Sequence, residues 1–381
     1  MTAYLDNAAT TKVCIESAQT AYNIMTAGYG NPSSTHKIGR EAKSVLDEAR
    51  AKLAKALGAK PDEVFFTSSG SESDNWAILS GAEFMKRHGN HIISSQAEHS
   101  AVLKSLDVLE KRGFEVTRLK PESDGSISVQ SVIEALREDT VLVSLMLVNN
   151  ETGGITDIGG ISRALKKSGS AALLHTDAVQ GFLKVPFSAK TLGADLVTIS
   201  GHKIHAPKGI GALYVKGGAK ALSLAPFIVG GAQEFGKRAG TEALPLIAAF
   251  AEAAELGSNL FEDSLQNFTK LKELAVKRLS SENDSLLVLS GEAPHILSIS
   301  LPGYKSEVVM NYLDALGVYV SKSSACKKGG RSYVLEAIGL QRAVIDGALR
   351  ISFSRFTSED EVNALCDGIK QAREKLYTVL H

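Results

Sequence analysis

From about residue 34 to 216 helical and strand-like stretches alternate, and this alternation restricts the fold more than any other feature of the chain. "STHKIGREAKSVLDEARAKLAKALGA", "AVLKSLDVLEKRG" and "SVQSVIEALRED" carry the helical period. Between and after them lie short β-rich runs: "EVFFTS", "HIISS", "FEVTRL", "VLVSLMLV", "AALLHTD", "DLVTIS" and "IGALYV". Most of these strands are too apolar to show a wet face. They therefore predict an α/β protein whose largely parallel sheet is covered on both sides. After about residue 245 an Ala- and Glu-rich segment reads as one long connecting helix, "LPLIAAFAEAAELGSNLFEDSLQNFTKLKELAVKRL", leading into a second α/β domain. In such sheets ligands gather at the carboxyl ends of the strands, so the residues just after each apolar run matter most.

The chain of 381 residues is longer than one compact core usually serves. Its 42 basic and 42 acidic residues balance, with no long run of one sign, so direct nucleic-acid binding is disfavoured. "MTAYLDNAATTKVC" has no basic start followed by an apolar stretch, and no apolar run approaches the ~20 residues of a membrane span. A soluble, cytoplasmic protein is the expectation. Three cysteines, Cys14, Cys326 and Cys366, are too few for a disulfide framework or a Cys-only metal site. Cys366 sits at helical spacing with Val362, Leu365 and Ile369, which suits a packed thiol. Cys326 stands in "VSKSSACKKGGRSY", where cationic side chains favour a thiolate.

The strand tips collect a set of polar groups. After "EVFFT" comes "SSGSESDN", where Gly70 and Ser71 open a helix; this is either an ordinary capped start or an anion site. His99 marks a corner after "HIISS", suiting a cap or a catalytic imidazole. Asn149 and Asn150 follow "VLVSLMLV" and fit turn chemistry. Asp177 ends the run "AALLHTD", with Gln180 one turn on, and a carboxylate there asks for a cation. Ser200, His202 and Lys203 end "DLVTIS". A buried salt bridge between Asp177 and Lys203 would account for that pair. The full set also meets the needs of pyridoxal phosphate: a phosphate cradle, an aspartate for the ring nitrogen, an imidazole over the ring and a lysine amine.

The ordered motifs "YLDNAATT", "GNPSSTH", "TSSGSESDN", "AEHSAV", "VNNETG", "HTDAVQ", "SGHKIHAPKG", "RAGTE" and "SSAC" resemble the cysteine desulfurases of the NifS/IscS type, class V members of the fold-type I pyridoxal-phosphate enzymes. The resemblance runs from residue 4 to about 356. It implies a large cofactor-binding domain over 16–257 and a small domain built from 1–15 and 258–381. It implies that Lys203 carries the cofactor, His99 stacks on the ring, Asp177 pairs with its nitrogen and Gln180 with its phenolic oxygen. Gly70, Ser71, Ser200 and His202 would hold the phosphate, joined by Thr241 from the second subunit of a homodimer. Asn150 would lie beside the substrate, Arg350 would clamp its carboxylate, and Cys326 would take the sulfur of L-cysteine as a persulfide, leaving L-alanine. No resident metal is implied, although Cys326 could ligate an iron–sulfur cluster in passing. His205 and Lys208 keep the reading of turn residues.

Departures from the family pattern are small at the site: Ser71 stands for Thr, "SSAC" for "GSAC", "APKG" for "GPKG", and Ala243 for Asn. The segment after Cys326 is a little short and the chain ends at "KLYTVLH", so the sulfur acceptor is either an iron–sulfur scaffold or a tRNA-thiolating enzyme. A selenocysteine lyase shares every motif. An aminotransferase would not need Cys326, a sulfur-relay scaffold without activity would not need Lys203, and a P-loop enzyme would need a lysine motif that is missing.

Overall fold

The computed structural model describes residues 2–221, 224–282, 285–322 and 330–378. Strand β1 (Ala3–Tyr4) opens the chain. Seven strands form the main sheet: β2 (Val64–Thr67), β3 (His91–Ser95), β4 (Glu115–Leu119), β5 (Thr140–Ser144), β6 (Leu173–Asp177), β7 (Leu196–Ser200) and β8 (Gly211–Val215). Their order is β2-β8-β7-β6-β5-β3-β4, parallel except for β8, which runs against both neighbours. The short connection 201–210 explains that reversal, since a parallel return needs a crossover of a dozen or more residues.

Adjacent residues of each strand feed different cores. Phe65, Ile92, Leu142, Leu173 and Leu196 enter one, and Phe66, Ile93, Val143, Leu174 and Val197 the other. Both faces are thus dry, as the continuous apolar runs require. Helices α2 (Lys37–Leu57), α3 (Gly70–Met85) and α4 (Ser100–Lys111) lie against the sheet, while α1 (Ile15–Thr26) packs on the helix Leu244–Asn259.

The long segment after residue 243 is two helices, Leu244–Asn259 and Phe261–Glu282. The single helix expected there breaks at Leu260, after Gly257, Ser258 and Asn259, weak helix formers placed in succession. Beyond it, strands β9 (Leu287–Val288), β10 (Ile296–Ser300), β11 (Val318–Tyr319), β12 (Ser321–Lys322) and β13 (Ala348–Ser352) follow. β12, β13, β10 and β9 make a four-stranded antiparallel sheet, and β11 pairs in parallel with β1. Ala3 and Leu5 share a core with Leu297, Ile299, Leu349, Ile351 and Ile369. Cys366 is fully buried in that core, and burial pushes its thiol up to about 11. Among the described residues no helix is long and apolar enough to cross a membrane.

Candidate active site

A cavity of about 320 Å³ opens at the carboxyl ends of the parallel strands. It gathers Gly70, Ser71, His99, Asn150, Asp177, Gln180, Ser200, His202, Lys203 and Arg350 from separate segments of the chain. Cys326 lies outside the described residues. Thr241 is exposed and does not line this cavity, standing next to Gly240 at the rim of another one.

Each floor residue is placed by a strand tip. α3 starts at Gly70, with Ser69 Oγ accepting from the Glu72 amide at 3.2 Å. A Cβ on Gly70 would meet Val179 Cγ2 at 2.9 Å and Ser200 Cβ at 3.4 Å, so only glycine lets the helix start approach the tips of β6 and β7. Ser69, Gly70 and Ser71 line the cavity, which puts a helix start, the usual site for an anion, at its wall. Ser200 ends β7, and its Oγ is buried with no hydrogen-bond partner among the described residues.

Asp177 ends β6 and is 7% exposed. Burial raises its pKa, while His99, the Val179 amide bonded at 2.9 Å and Lys203 oppose that rise. His99 does cap α4, accepting from the Ala101 amide at 3.2 Å, and it also lines the cavity. His202 bonds Thr10 through Nδ1 at 3.2 Å, and burial, helped by Lys203 and other cations, pushes it down to about 3. It is a neutral imidazole at neutral pH.

Lys203 Nζ donates to the carbonyls of Ala8 and Ala9, at 2.6 and 2.7 Å. The Gln180 amide nitrogen donates to the same Ala8 carbonyl at 2.8 Å. Lys184 Nζ donates to Gln180 Oε1 at 3.4 Å, and its amine falls to about 7, mainly through burial. Arg350 comes from the middle of β13, 2% exposed. It donates to the Asn150 carbonyl at 2.9 Å and to Asp6 Oδ1 at 3.0 Å, while its Nε has no partner among the described residues.

Sequence reading missed Asp6, the carbonyls of Ala8 and Ala9, and Asp74. Asp74 falls one turn after Gly70 and Ser71 on α3, a spacing that puts it on their face and could have pointed to it. One ligand-type atom each of Asp74, His99 and Asp177 lie within 4.8 Å of one another. The other two histidine and lysine neighbours are structural or peripheral: His205 bonds the Lys12 carbonyl at 2.9 Å beneath Phe356, and Lys208 is exposed.

A phosphate-accepting helix start, a buried carboxylate, an imidazole and a lysine amine around one cavity define an enzyme site of the pyridoxal-phosphate type. The chain belongs to the class-V aminotransferase family, whose pattern it matches over residues 3–365. It is 38% identical to a cysteine desulfurase, IscS, of Dictyoglomus turgidum over 99% of this chain and 95% of that one. A putative cysteine desulfurase, IscS 1, of Bacillus subtilis is 37% identical over 98% of this chain and 99% of its own. Among solved structures a NifS-like protein superposes with a TM-score of 0.92 at 34% identity, over 99% of this chain and all of that one.

Proposed function

We infer that this chain is a pyridoxal-phosphate-dependent cysteine desulfurase, which turns L-cysteine into L-alanine and takes the sulfur onto Cys326. The observation that carries this reading is the convergence of Lys203, Asp177, His99 and Arg350 on one strand-tip cavity, in a chain that aligns end to end with cysteine desulfurases.

The cavity suits the cofactor in three ways. Ser200 Oγ is a buried hydroxyl awaiting a partner, Gly70 keeps the helix start close, and Asp177 offers a buried carboxylate. When bound, pyridoxal phosphate supplies an electron sink conjugated to the substrate α-carbon. Gly70, Ser71 and Ser200 would hold its phosphate, with His202 as a neutral donor. Asp177 would face the ring nitrogen, His99 the ring plane, and the Gln180 amide the phenolic oxygen. Lys203 would attach the cofactor and, once displaced by substrate, take the Cα proton on Nζ. The carbonyls of Ala8 and Ala9 accept from that amine and fix where it waits.

Arg350 would bind the substrate carboxylate with its fork, already aimed by Asp6 and the Asn150 carbonyl. Asn150 lines the same cavity, and its buried Oδ1 has no hydrogen-bond partner among the described residues. The Cys326 thiolate would then attack the substrate sulfur. An S–S bond forms, the C–S bond breaks, and the carbon it leaves gains a hydrogen, so thiol plus cysteine becomes persulfide plus alanine.

The division of the main cores, the larger drawn mostly from 16–257 with Ala8, Cys14, Ala293 and Ile296 packed into it, supports a large domain over 16–257 and a small one from 1–15 and 258–381. The exposure of Thr241, outside its own chain's cavity, supports its donation to a second subunit of a homodimer. The persulfide would pass to a protein acceptor, an iron–sulfur scaffold or a tRNA-thiolating enzyme. The sparse cysteine usage fits a reducing cytoplasm, where a persulfide carrier is renewed by thiols. One turnover with isotopically labelled L-cysteine tests the reading: labelled sulfur should map to Cys326, with one alanine per persulfide. A Cys326→Ala variant that still releases sulfide at the wild-type rate would reject it.

A further inference from the structure

One ionisable group of the cavity has no part in the reaction as described. Asp74, on α3, is 1% exposed and forms part of the cavity lining. Its Oδ1 has no hydrogen-bond partner among the described residues, and the carboxyl is bonded from Thr198 on β7. His175 Nε2, from β6, stands 3.7 Å from that oxygen. The imidazole offers no charge to it, because burial pushes His175 down to about 3. Its two nitrogens are engaged by Ser144 at 2.8 Å and Thr198 at 3.1 Å.

Toward the cavity, Asp74 faces Asp177, within the 4.8 Å cluster that also includes His99. Two carboxylates this close, away from water, do not both ionise. The surroundings decide which one keeps the charge. Asp177 accepts from the Val179 amide at 2.9 Å, and that bond, His99 and Lys203 all lower its pKa against the rise from burial. The charges acting on Asp74 are acids, Asp177 and Glu98, and both raise its pKa on top of burial. Glu98 on the turn before α4 is itself pushed up to about 8 by burial.

We propose that Asp74 is a positioning residue that stays protonated beside Asp177, so that Asp177 is the single anion the cavity offers to the cofactor's ring nitrogen. This rests on the reading of Asp177 given above. A proton on Asp74 turns its orphaned buried acceptor into a donor and leaves the oxygens of Asp177 as acceptors. An asparagine carries the same donor without the acid and should replace it; an alanine should not.

The full-length holoenzyme tests this through three variants and two readouts. In the first, pyridoxal phosphate affinity is measured from the visible absorbance of the bound cofactor. Asp74→Asn should stay within about threefold of wild type, and Asp74→Ala should bind about tenfold or more weakly, the scale of a lost hydrogen bond to a charged group. Loss of affinity in Asp74→Asn equal to that in Asp74→Ala would show that the charge was needed and overturn the proposal. Wild-type affinity in Asp74→Ala would overturn it too.

In the second readout, Tm is followed from pH 5 to 8. A carboxyl whose folded pKa lies above its unfolded value loses stability as pH rises, so Asp74→Asn should gain Tm over wild type, most at pH 8. An equal or lower Tm at pH 8 overturns the proposal even if Asp74→Ala does not fold. Asp177→Asn in the same assays separates the two readings: normal cofactor affinity and absorbance there would refute the role of Asp177, whatever Asp74 does.

Discussion

The floor and the wall of the cavity are built by different means. On the floor, Asp177, Ser200 and Lys203 follow directly from neighbouring strands β6 and β7, and Gly70 from the tip of β2. On the wall, Arg350 lies within β13 of the smaller sheet and is aimed by Asp6, 344 residues earlier in the chain. Lys203 rests on backbone carbonyls, whereas Arg350 depends on an ion pair with a side chain. The floor residues are set by the strand tips, and the wall residue by a strand of the smaller sheet. The N-terminal segment serves both, through backbone carbonyls under Lys203 and through the Asp6 side chain beside Arg350, so the two should fail differently when side chains are changed.

The largest loss is expected on the floor. Lys203→Ala removes both the attachment point and the proton carrier, and should lower kcat by about three orders of magnitude or more. Its visible cofactor absorbance should also change. Retention of a tenth of the activity would break the division between floor and wall. On the wall, Arg350→Lys keeps the charge but loses the planar fork, and KM for L-cysteine should rise about 10- to 100-fold with a smaller change in kcat.

Asp6→Asn sharpens the comparison, since it leaves the fork in place but uncompensated. Arg350 is 2% exposed while the Asp6 side chain is 23% exposed, so solvent softens the loss. Urea unfolding should show a cost of about 1–3 kcal/mol, with KM rising less than in Arg350→Lys. A KM effect as large as that of Arg350→Lys would mean that Asp6 itself meets the substrate.

The smallest effect concerns Glu98, buried behind the floor and pushed up to about 8. Its folded pKa lies above the unfolded one, so its contribution is fully present below about pH 4 and is lost as pH rises toward 8. Glu98→Gln should flatten the dependence of Tm on pH across that window and gain about 2–4 °C at its upper end. An identical pH profile in both proteins would place the titration elsewhere.

Much of the floor was legible because apolar runs mark parallel strands and polar residues at their ends mark the cavity. The wall was less so. Arg350 came only from family resemblance, and Asp6 had no local signal, because the contact that gives it meaning spans almost the whole chain. Asp74 was hidden in a helix buried on most of its sides, whose sequence shows no clear polar face to single it out. The antiparallel turn of β8 could be read from the short connection before it. The break at Leu260 could be read from Gly257, Ser258 and Asn259, but the Ala- and Glu-rich flanks argued for a continuous helix.

The sequence by itself determined the α/β class, the strand tips that carry chemistry and the membership of a family, because hydrophobic period and ordered motifs are local properties. Only the tertiary structure decided that the carbonyls of Ala8 and Ala9 hold Lys203, that Asp6 aims Arg350, and that Asp74 and Asp177 share one dry space. Those facts depend on which distant segments exclude water together. Burial, which sets the cost of every charge in the cavity, is a property of the packed chain and of no short stretch of it.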